Sequence, residues 1–201
     1  MRILNILLYT SLVIACVSGN SNKLKHFRNL TSDTLLYKYL SSKAAKLNLA
    51  RINLGVDSFE FRVWHGSVLL TPKQLVILKY NDSSWQLTET DYWLHYQNNY
   101  PKRDIIVLDS CFTKQLMVQM PLSQIIDSIE YFRLDTFPSQ DEIPGFKNNV
   151  ADGMSFTIEL ATSKYYKAIS YNNPKFYTDP YNKKITNFLL FLKNIGVNSI
   201  Y

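Results

Sequence analysis

Residues 152–196 decide the fold, and they read DGMSFTIELATSKYYKAISYNNPKFYTDPYNKKITNFLLFLKNIG. In the first part of this stretch apolar and polar residues alternate, which is the period of a strand with one face in a core. The apolar positions are Met154, Phe156, Ile158 and Leu160. Thr162 and Ser163 supply turn residues, and residues 164–171 then return as a second, aromatic-rich strand. The sequence therefore predicts a β-hairpin.

A helix is predicted directly after this hairpin. Asp179 is a suitable N-cap, Pro180 fits the first helical position, and Gly196 follows the last apolar residue. The apolar residues between them recur at helical spacing and fall on one stripe: Ile185, Phe188, Leu189, Leu192 and Ile195. Such a stripe is typical of a helix that packs on a sheet.

The rest of the chain carries further strand and helix signals. Residues 31–49 predict a helix that Ser32 or Asp33 can cap, and Pro121 opens another. The basic residues expected on the solvent side of the first helix are Lys38, Lys43 and Lys46. Strands are predicted over residues 58–64, 74–80, 85–93, 105–108 and 116–120.

The order of these elements indicates the fold class. Short turns between strands imply antiparallel pairing, because parallel strands need long crossovers. The helices do not alternate with single strands, which argues against a doubly wound fold. We therefore expect an α+β fold, with a twisted, mainly antiparallel sheet of about six or seven strands and about three helices packed mostly on one face.

The composition is that of one globular domain with a mild positive charge. The chain has 201 residues, of which 46% are hydrophobic and 19% are charged, and its formal net charge is +6. A chain of this length can bury a substantial core without disulfides. The mild basic excess permits attraction to anionic surfaces but identifies no partner.

The N-terminal residues have the pattern of an export signal. Arg2 precedes an apolar run over residues 3–14 that is too short to span a bilayer. The run ends in the tetrapeptide Val13-Ile14-Ala15-Cys16, which resembles the lipobox of bacterial lipoproteins. The resemblance implies that residues 1–15 are a signal peptide, and that Cys16 carries the lipid and becomes the first mature residue. Two or more acyl chains make such a membrane anchor stable.

Cleavage near Gly19 is the alternative, and it would release a free secreted protein. Residues 16–29 are expected to form a polar tether, and residues 30–201 a single globular α+β domain. The second cysteine, Cys111, follows an apolar strand and is expected to be a small buried hydrophobe.

No catalytic motif stands out. The sequence contains no glycine-rich phosphate loop, GxSxG elbow, CxxC pair or HExxH helix. Its histidines, at positions 26, 65 and 95, are widely spaced, so neither a metal nor a cofactor is expected. Glu89 and Asp91 lie two residues apart on a predicted strand and are expected on a solvated face. A glycosidase would need two carboxyl groups roughly 5–9 Å apart in a cleft.

Basic and aromatic residues are interleaved along the second hairpin strand and the loop after it. They are Lys164, Tyr165, Tyr166, Lys167, Tyr171, Lys175 and Tyr177. Such a surface suits a protein or glycan partner, whereas export argues against nucleic acid. The same pattern is also typical of a strand with its aromatic face in the core and lysines at the sheet edge.

We therefore expect an exported, lipid-anchored protein of the cell envelope whose domain is a non-catalytic binding or structural module. Its anchor would lie in a membrane, facing the periplasm or the outer surface. The alternative is a secreted or periplasmic hydrolase that uses acidic residues near a cleft lined by Trp64, Trp85 and Trp93. This alternative would require the acidic side chains and one of two histidines to converge in one pocket; the candidates are Glu60, Glu89 and Asp91, with His65 or His95.

Overall fold

The computed structural model describes residues 27–67, 72–81, 84–97, 105–150 and 152–199. The strands in these ranges are β1 (Arg28–Asn29), β2 (Phe59–Gly66), β3 (Lys73–Asn81), β4 (Ser84–Gln97), β5 (Ile105–Leu116), β6 (Ser155–Thr162) and β7 (Tyr165–Asn172). The α-helices are α1 (Thr34–Lys46), α2 (Leu122–Phe132) and α3 (Pro180–Asn194). None of these helices is both long and apolar enough to cross a membrane.

All of these strands belong to one sheet, in the order β1-β7-β6-β2-β3-β4-β5. Strands β2 to β5 form an antiparallel meander, and the β6–β7 hairpin joins it through the β2–β6 pair. Among the described strands, only β1 runs parallel to its neighbour, which is β7. The expected α+β fold is confirmed.

Both faces of the sheet are covered. Helices α2 and α3 pack on one face, where the rings of Phe61 and Phe132 each contact the ring of Phe188. Helix α1 packs on the other face, where Leu40 and Ala44 join a second apolar cluster. Because both faces are buried, polar side chains on the central strands need partners inside the protein.

The stretch over residues 152–196 folds as its sequence predicts. Thr162 Oγ1 accepts two backbone N–H groups of the hairpin turn. Asp179 accepts two N–H groups of the first turn of α3, and Gly196 follows the helix at a φ of 114°. The whole predicted stripe of α3 is inaccessible to solvent.

Three local expectations are corrected by the packing. The strands expected over 105–108 and 116–120 are replaced by the single strand β5, because its pairing with β4 continues across a bulge beside Trp93. Cys111 is exposed, because β5 lies at the edge of the sheet. Lys43 is only 8% exposed, because its side of α1 faces the sheet.

Candidate binding pocket beside strand β7

The predicted lysine and tyrosine surface does not form as one surface. Tyr166, Tyr171 and Lys167 are only 0%, 1% and 9% exposed. Successive residues of a strand face opposite sides of a sheet, and here both sides are covered. Tyr166 therefore lies under α1, and Tyr171 lies in the core formed with α2 and α3. The expected binding surface is corrected for these three residues, which fit the alternative of a partly buried strand.

The remaining members of that set lie at opposite ends of β7. Lys164 is exposed in the hairpin turn, and Tyr165 is half-buried against the α2–α3 core. Lys175 and Tyr177 lie beyond the other end of the strand. The Tyr177 hydroxyl donates a hydrogen bond to Asn148 Oδ1 at 2.9 Å. The four residues therefore form two pairs that are separated by the length of the strand.

A buried polar network lies between α1 and the sheet. Glu159 accepts hydrogen bonds from Trp64 Nε1 at 2.5 Å and from the Tyr166 hydroxyl at 2.7 Å. Burial raises the pKa of Glu159, and these hydrogen bonds oppose the shift. The alternation of apolar and polar residues places Glu159 on the polar face of its strand, but only the position of α1 shows that this face is buried. Its hydrogen bonds are satisfied within the fold.

Lys43 belongs to the same network. Its Nζ atom lies 4.5 Å from the centre of the Trp64 ring, 5.2 Å from that of Tyr39 and 5.6 Å from that of Tyr92. Burial, followed by the charge of Lys73, lowers the pKa of Lys43 to about 7, while Glu159 acts in the opposite direction. The aromatic faces favour the charged amine.

The acidic residues considered for catalysis lie on different faces of the sheet. Glu60 accepts a hydrogen bond from Arg62 Nε at 2.8 Å on the α1 side. Glu89 lies on the opposite side, where its Oε1 atom is 3.0 Å from Lys114 Nζ. Glu89 is buried rather than solvated, because its face of β4 packs towards the α2–α3 core. Glu60 and Glu89 therefore cannot share one cleft.

Asp91 and His65 are linked through Gln74. Gln74 Nε2 donates to Asp91 Oδ1 at 3.1 Å, and Gln74 Oε1 lies 3.2 Å from His65 Nδ1. Burial lowers the pKa of His65, whose ring stacks on Phe156. This chain of contacts joins neighbouring strands on the α2–α3 side.

The other residues of the expected hydrolase site are also separated. His95 pairs at the surface with Asp109, at 2.5 Å. Trp64 and Trp85 lie on opposite faces of the sheet, in contact with Tyr92 and Phe59 respectively. A cleft lined by the three tryptophans is therefore not formed.

A polar pocket of about 450 Å³ lies beside the outer edge of β7. Its walls come from the start of α1, from residues 139–148 and from β7 itself. The S-x-x-E spacing of Ser139 and Glu142 is a capping-box signal for the 3₁₀ turn in this wall. That signal could have marked an ordered turn, but not its position beside β7.

The pocket exists because side chains replace a neighbouring strand along β7. Strand β1 pairs with β7 only as far as Tyr166. Beyond that point, side-chain oxygens accept the outward N–H groups of the strand. The pairs are Ala168 with Thr31 at 2.8 Å, Ser170 with Ser139 at 3.3 Å, and Asn172 with Gln140 at 2.8 Å. The backbone of this edge is thereby satisfied, and a concave space remains outside it.

The pocket presents both hydrogen-bond acceptors and donors. Asp33 and Asp141 supply carboxylates, and Asp141 makes no hydrogen bond or ion pair within the described part of the chain. Asn148 and Asn172 each use their side-chain oxygen within the fold, which leaves their amide nitrogens available. Phe146 adds an apolar wall. Sequence reasoning did not find this set, because its members come from segments far apart in the chain.

Some expectations and comparisons add nothing to this site. The predicted signal peptide, Cys16 and residues 16–26 of the tether lie outside the described residues. The end of the predicted tether is corrected, because Arg28 and Asn29 form strand β1 and pair with β7. Within the described ranges, no group of three His, Cys, Asp or Glu residues is placed to hold a metal ion. No family model, curated protein or solved structure matches this chain.

Proposed function

We propose that this chain is an exported, lipid-anchored protein of the cell envelope, and that its α+β domain binds a partner without catalysing a reaction. The observation that carries this proposal is the tetrapeptide Val13-Ile14-Ala15-Cys16 at the end of the apolar run. A thioether-linked diacylglycerol and an N-acyl group on Cys16 would anchor the chain, since each buried CH₂ contributes about 0.8 kcal/mol.

The chemistry of the domain supports a binding role. The ionisable side chains that could have served a hydrolase, such as Glu89 and His95, are paired separately at different places in the fold. The pocket beside β7, in contrast, contains polar groups such as Asp141 that the described residues leave unused. Unused polar groups that converge in a concave site are typical of a ligand site.

The anchor can be tested with the two cysteines of the chain. The wild type, Cys16→Ser and Cys111→Ser are expressed in a bacterial host that processes lipoproteins. Wild type and Cys111→Ser, which changes an exposed cysteine of β5, are expected to gain the mass of the acyl groups and to enter the detergent phase. Cys16→Ser is expected to do neither. An unmodified, water-soluble wild-type product would overturn the proposal.

A further inference from the structure

We infer, on the basis of the proposed function, that the pocket beside β7 binds a neutral saccharide. Each hydroxyl group of a sugar both donates and accepts hydrogen bonds, so a saccharide site needs donors and acceptors side by side. Asp33 and Asp141 offer acceptors in the pocket, while Asn148, Asn172 and Ser170 offer donors. The mixture matches a hydroxyl-rich ligand better than a purely apolar one.

The polar groups are held in place before any ligand arrives. The buried Gln140 side chain accepts the Asn172 N–H at 2.8 Å and donates to the Asn172 carbonyl at 3.0 Å. The same amide donates to Asn182 Oδ1, inside the core, at 2.6 Å. On the opposite wall, the Tyr177 hydroxyl holds Asn148. Preorganisation of this kind lowers the entropy that binding must remove.

An aromatic ring adds a surface for the apolar face of a sugar. Phe146 lines the pocket, and its ring is supported edge-to-face by Tyr177, with the ring centres 4.8 Å apart. Leu36 of α1 contributes a second apolar group. Pyranose rings carry C–H groups as well as hydroxyls, so an apolar wall beside polar groups complements both parts of the ligand.

Size and charge restrict the ligand further. The volume of about 450 Å³ falls in the range of small-molecule sites, roughly 300–1,000 Å³. The charged residues that line the described pocket are Asp33 and Asp141, so its field disfavours anions. Lys167 lies near this region, but its Nζ donates to the Leu30 carbonyl at 3.1 Å. Uronic acids and phosphorylated sugars are therefore expected to bind poorly.

Binding is measured on the full chain by titration calorimetry in lauryldimethylamine oxide, because sugar-based detergents would compete. The probes are maltotriose, cellotriose, mannotriose and the trimer of N-acetylglucosamine. Trigalacturonate is the anionic control, and the glucosamine trimer is the cationic one. At least one neutral trisaccharide is expected to bind with a Kd of about 1 mM or below, and trigalacturonate is not. The inference would be overturned if only the cationic trimer bound, or if none of the neutral probes bound at a concentration of about 10 mM.

Variants locate the site. Asp141→Asn is expected to weaken binding about tenfold, because it removes a charged acceptor. Phe146→Leu is expected to weaken it as well. The matched control is Asp127→Asn, the same change at an exposed position of α2, and it should leave affinity unchanged. A Kd for the neutral sugar that Asp141→Asn leaves unchanged would place the ligand elsewhere and refute the inference. Asp141 is exposed and unpaired within the described residues, so Asp141→Asn is expected to fold normally. This variant therefore tests the location of the ligand even if Phe146→Leu unfolds.

The anchor experiment is independent of this one. A wild-type chain that is acylated but binds no neutral probe would refute the saccharide site and leave the envelope location standing. A chain that is not acylated but binds a neutral probe through Asp141 would refute the lipid anchor and leave the saccharide site standing.

Discussion

Lys43 keeps its amine inside the protein, between α1 and the sheet. Aromatic rings approach it from α1, β2 and β4, Lys73 adds a positive charge from β3, and Glu159 adds a carboxyl group from β6. Its pKa is lowered from 10.5 to about 7, chiefly by burial. Between these two values the unfolded chain therefore binds more protons at this position than the folded chain does. Stability must then rise with pH in that range.

We expect the free energy of unfolding to rise between about pH 7 and about pH 9, by up to about 1.4 kcal/mol per pH unit from this residue. Lys43→Met should remove the rise, since it removes the titrating group. Lys46→Met, at an exposed position of the same helix, should retain it. Urea unfolding at several pH values measures the effect. A wild-type curve that is flat in this range would contradict the expectation.

Glu159 is the acceptor that holds the α1-side network together. Glu159→Ala should lower the free energy of unfolding by about 2–5 kcal/mol, because Trp64 Nε1 and the Tyr166 hydroxyl would lose their acceptor. Glu159→Gln preserves the volume and one acceptor oxygen, so its loss should be smaller, about 1–2 kcal/mol. Denaturant titration of both variants checks the order.

The control for Glu159 is Glu130→Ala, at an exposed position of α2, which should change stability by less than about 0.5 kcal/mol. If Glu159→Ala were as stable as this control, the network would contribute nothing to the fold. The pH dependence has a defined sign as well. Burial raises the pKa of Glu159 in the folded chain. This shift contributes most to the free energy of unfolding at a pH below the pKa of Glu159 in the unfolded chain, and the contribution is lost as the pH rises through its pKa in the folded chain.

At the scale of elements, two helices begin at an aspartate cap, but the caps differ in their connections. Asp33 accepts two backbone N–H groups of α1, and Asp179 accepts two of α3. Asp179 also accepts a hydrogen bond from Asn182 Nδ2 at 2.6 Å. Asn182 Oδ1 in turn accepts a hydrogen bond from the amide of Gln140, which lines the pocket. The α3 cap therefore supports both the helix and the wall of the candidate site.

Asp33→Ala is expected to cost about 1 kcal/mol, which is typical of a lost N-cap. Asp179→Ala should cost more, about 2 kcal/mol, because a second hydrogen bond is lost together with the cap. Thermal unfolding of the two variants compares them directly. A larger loss of stability for Asp33→Ala than for Asp179→Ala would show that the hydrogen bond between Asp179 and Asn182 does not stabilise the fold.

At the scale of the whole molecule, the two edges of the sheet differ in how their outward backbone groups find hydrogen-bond partners. The β7 edge is satisfied by β1 and by the side chains of Thr31, Ser139 and Gln140. The β5 edge has β4 as its neighbour on one side, and no described strand on the other. Strand β2 lies in the middle of the sheet, with apolar clusters on both faces. Local stability should therefore fall from β2 towards β5.

Hydrogen exchange followed by mass spectrometry tests this gradient on the full chain. Peptides from β2 and β6 should exchange most slowly, peptides from β7 should remain protected despite their place near the edge, and peptides from β5 should exchange faster. The reason is that alternate N–H groups of β5 have no partner strand among the described residues. Protection of β5 equal to that of β2 would show that this edge is covered in solution.

The sequence by itself determined the features that depend on neighbouring residues. The 155–172 hairpin, the ends of α3 and its buried stripe all follow from alternation, turn chemistry and capping over a few positions. The capping-box spacing of Ser139 and Glu142 is a signal of the same local kind. These patterns were sufficient for the α+β class because each element's own hydrogen bonds and periodicity specify its type.

Only the tertiary structure determined which side chains remain exposed to solvent. A period of two divides a strand into two faces, but it does not say that α1 will cover the polar one. Lys43, Glu159 and Tyr166 were therefore buried by a long-range contact that no local pattern contains. The pocket beside β7 has the same origin, since Asp33 and Asp141 are separated by about half of the chain and meet only after folding. Side-chain packing between distant segments, rather than local propensity, creates the candidate site.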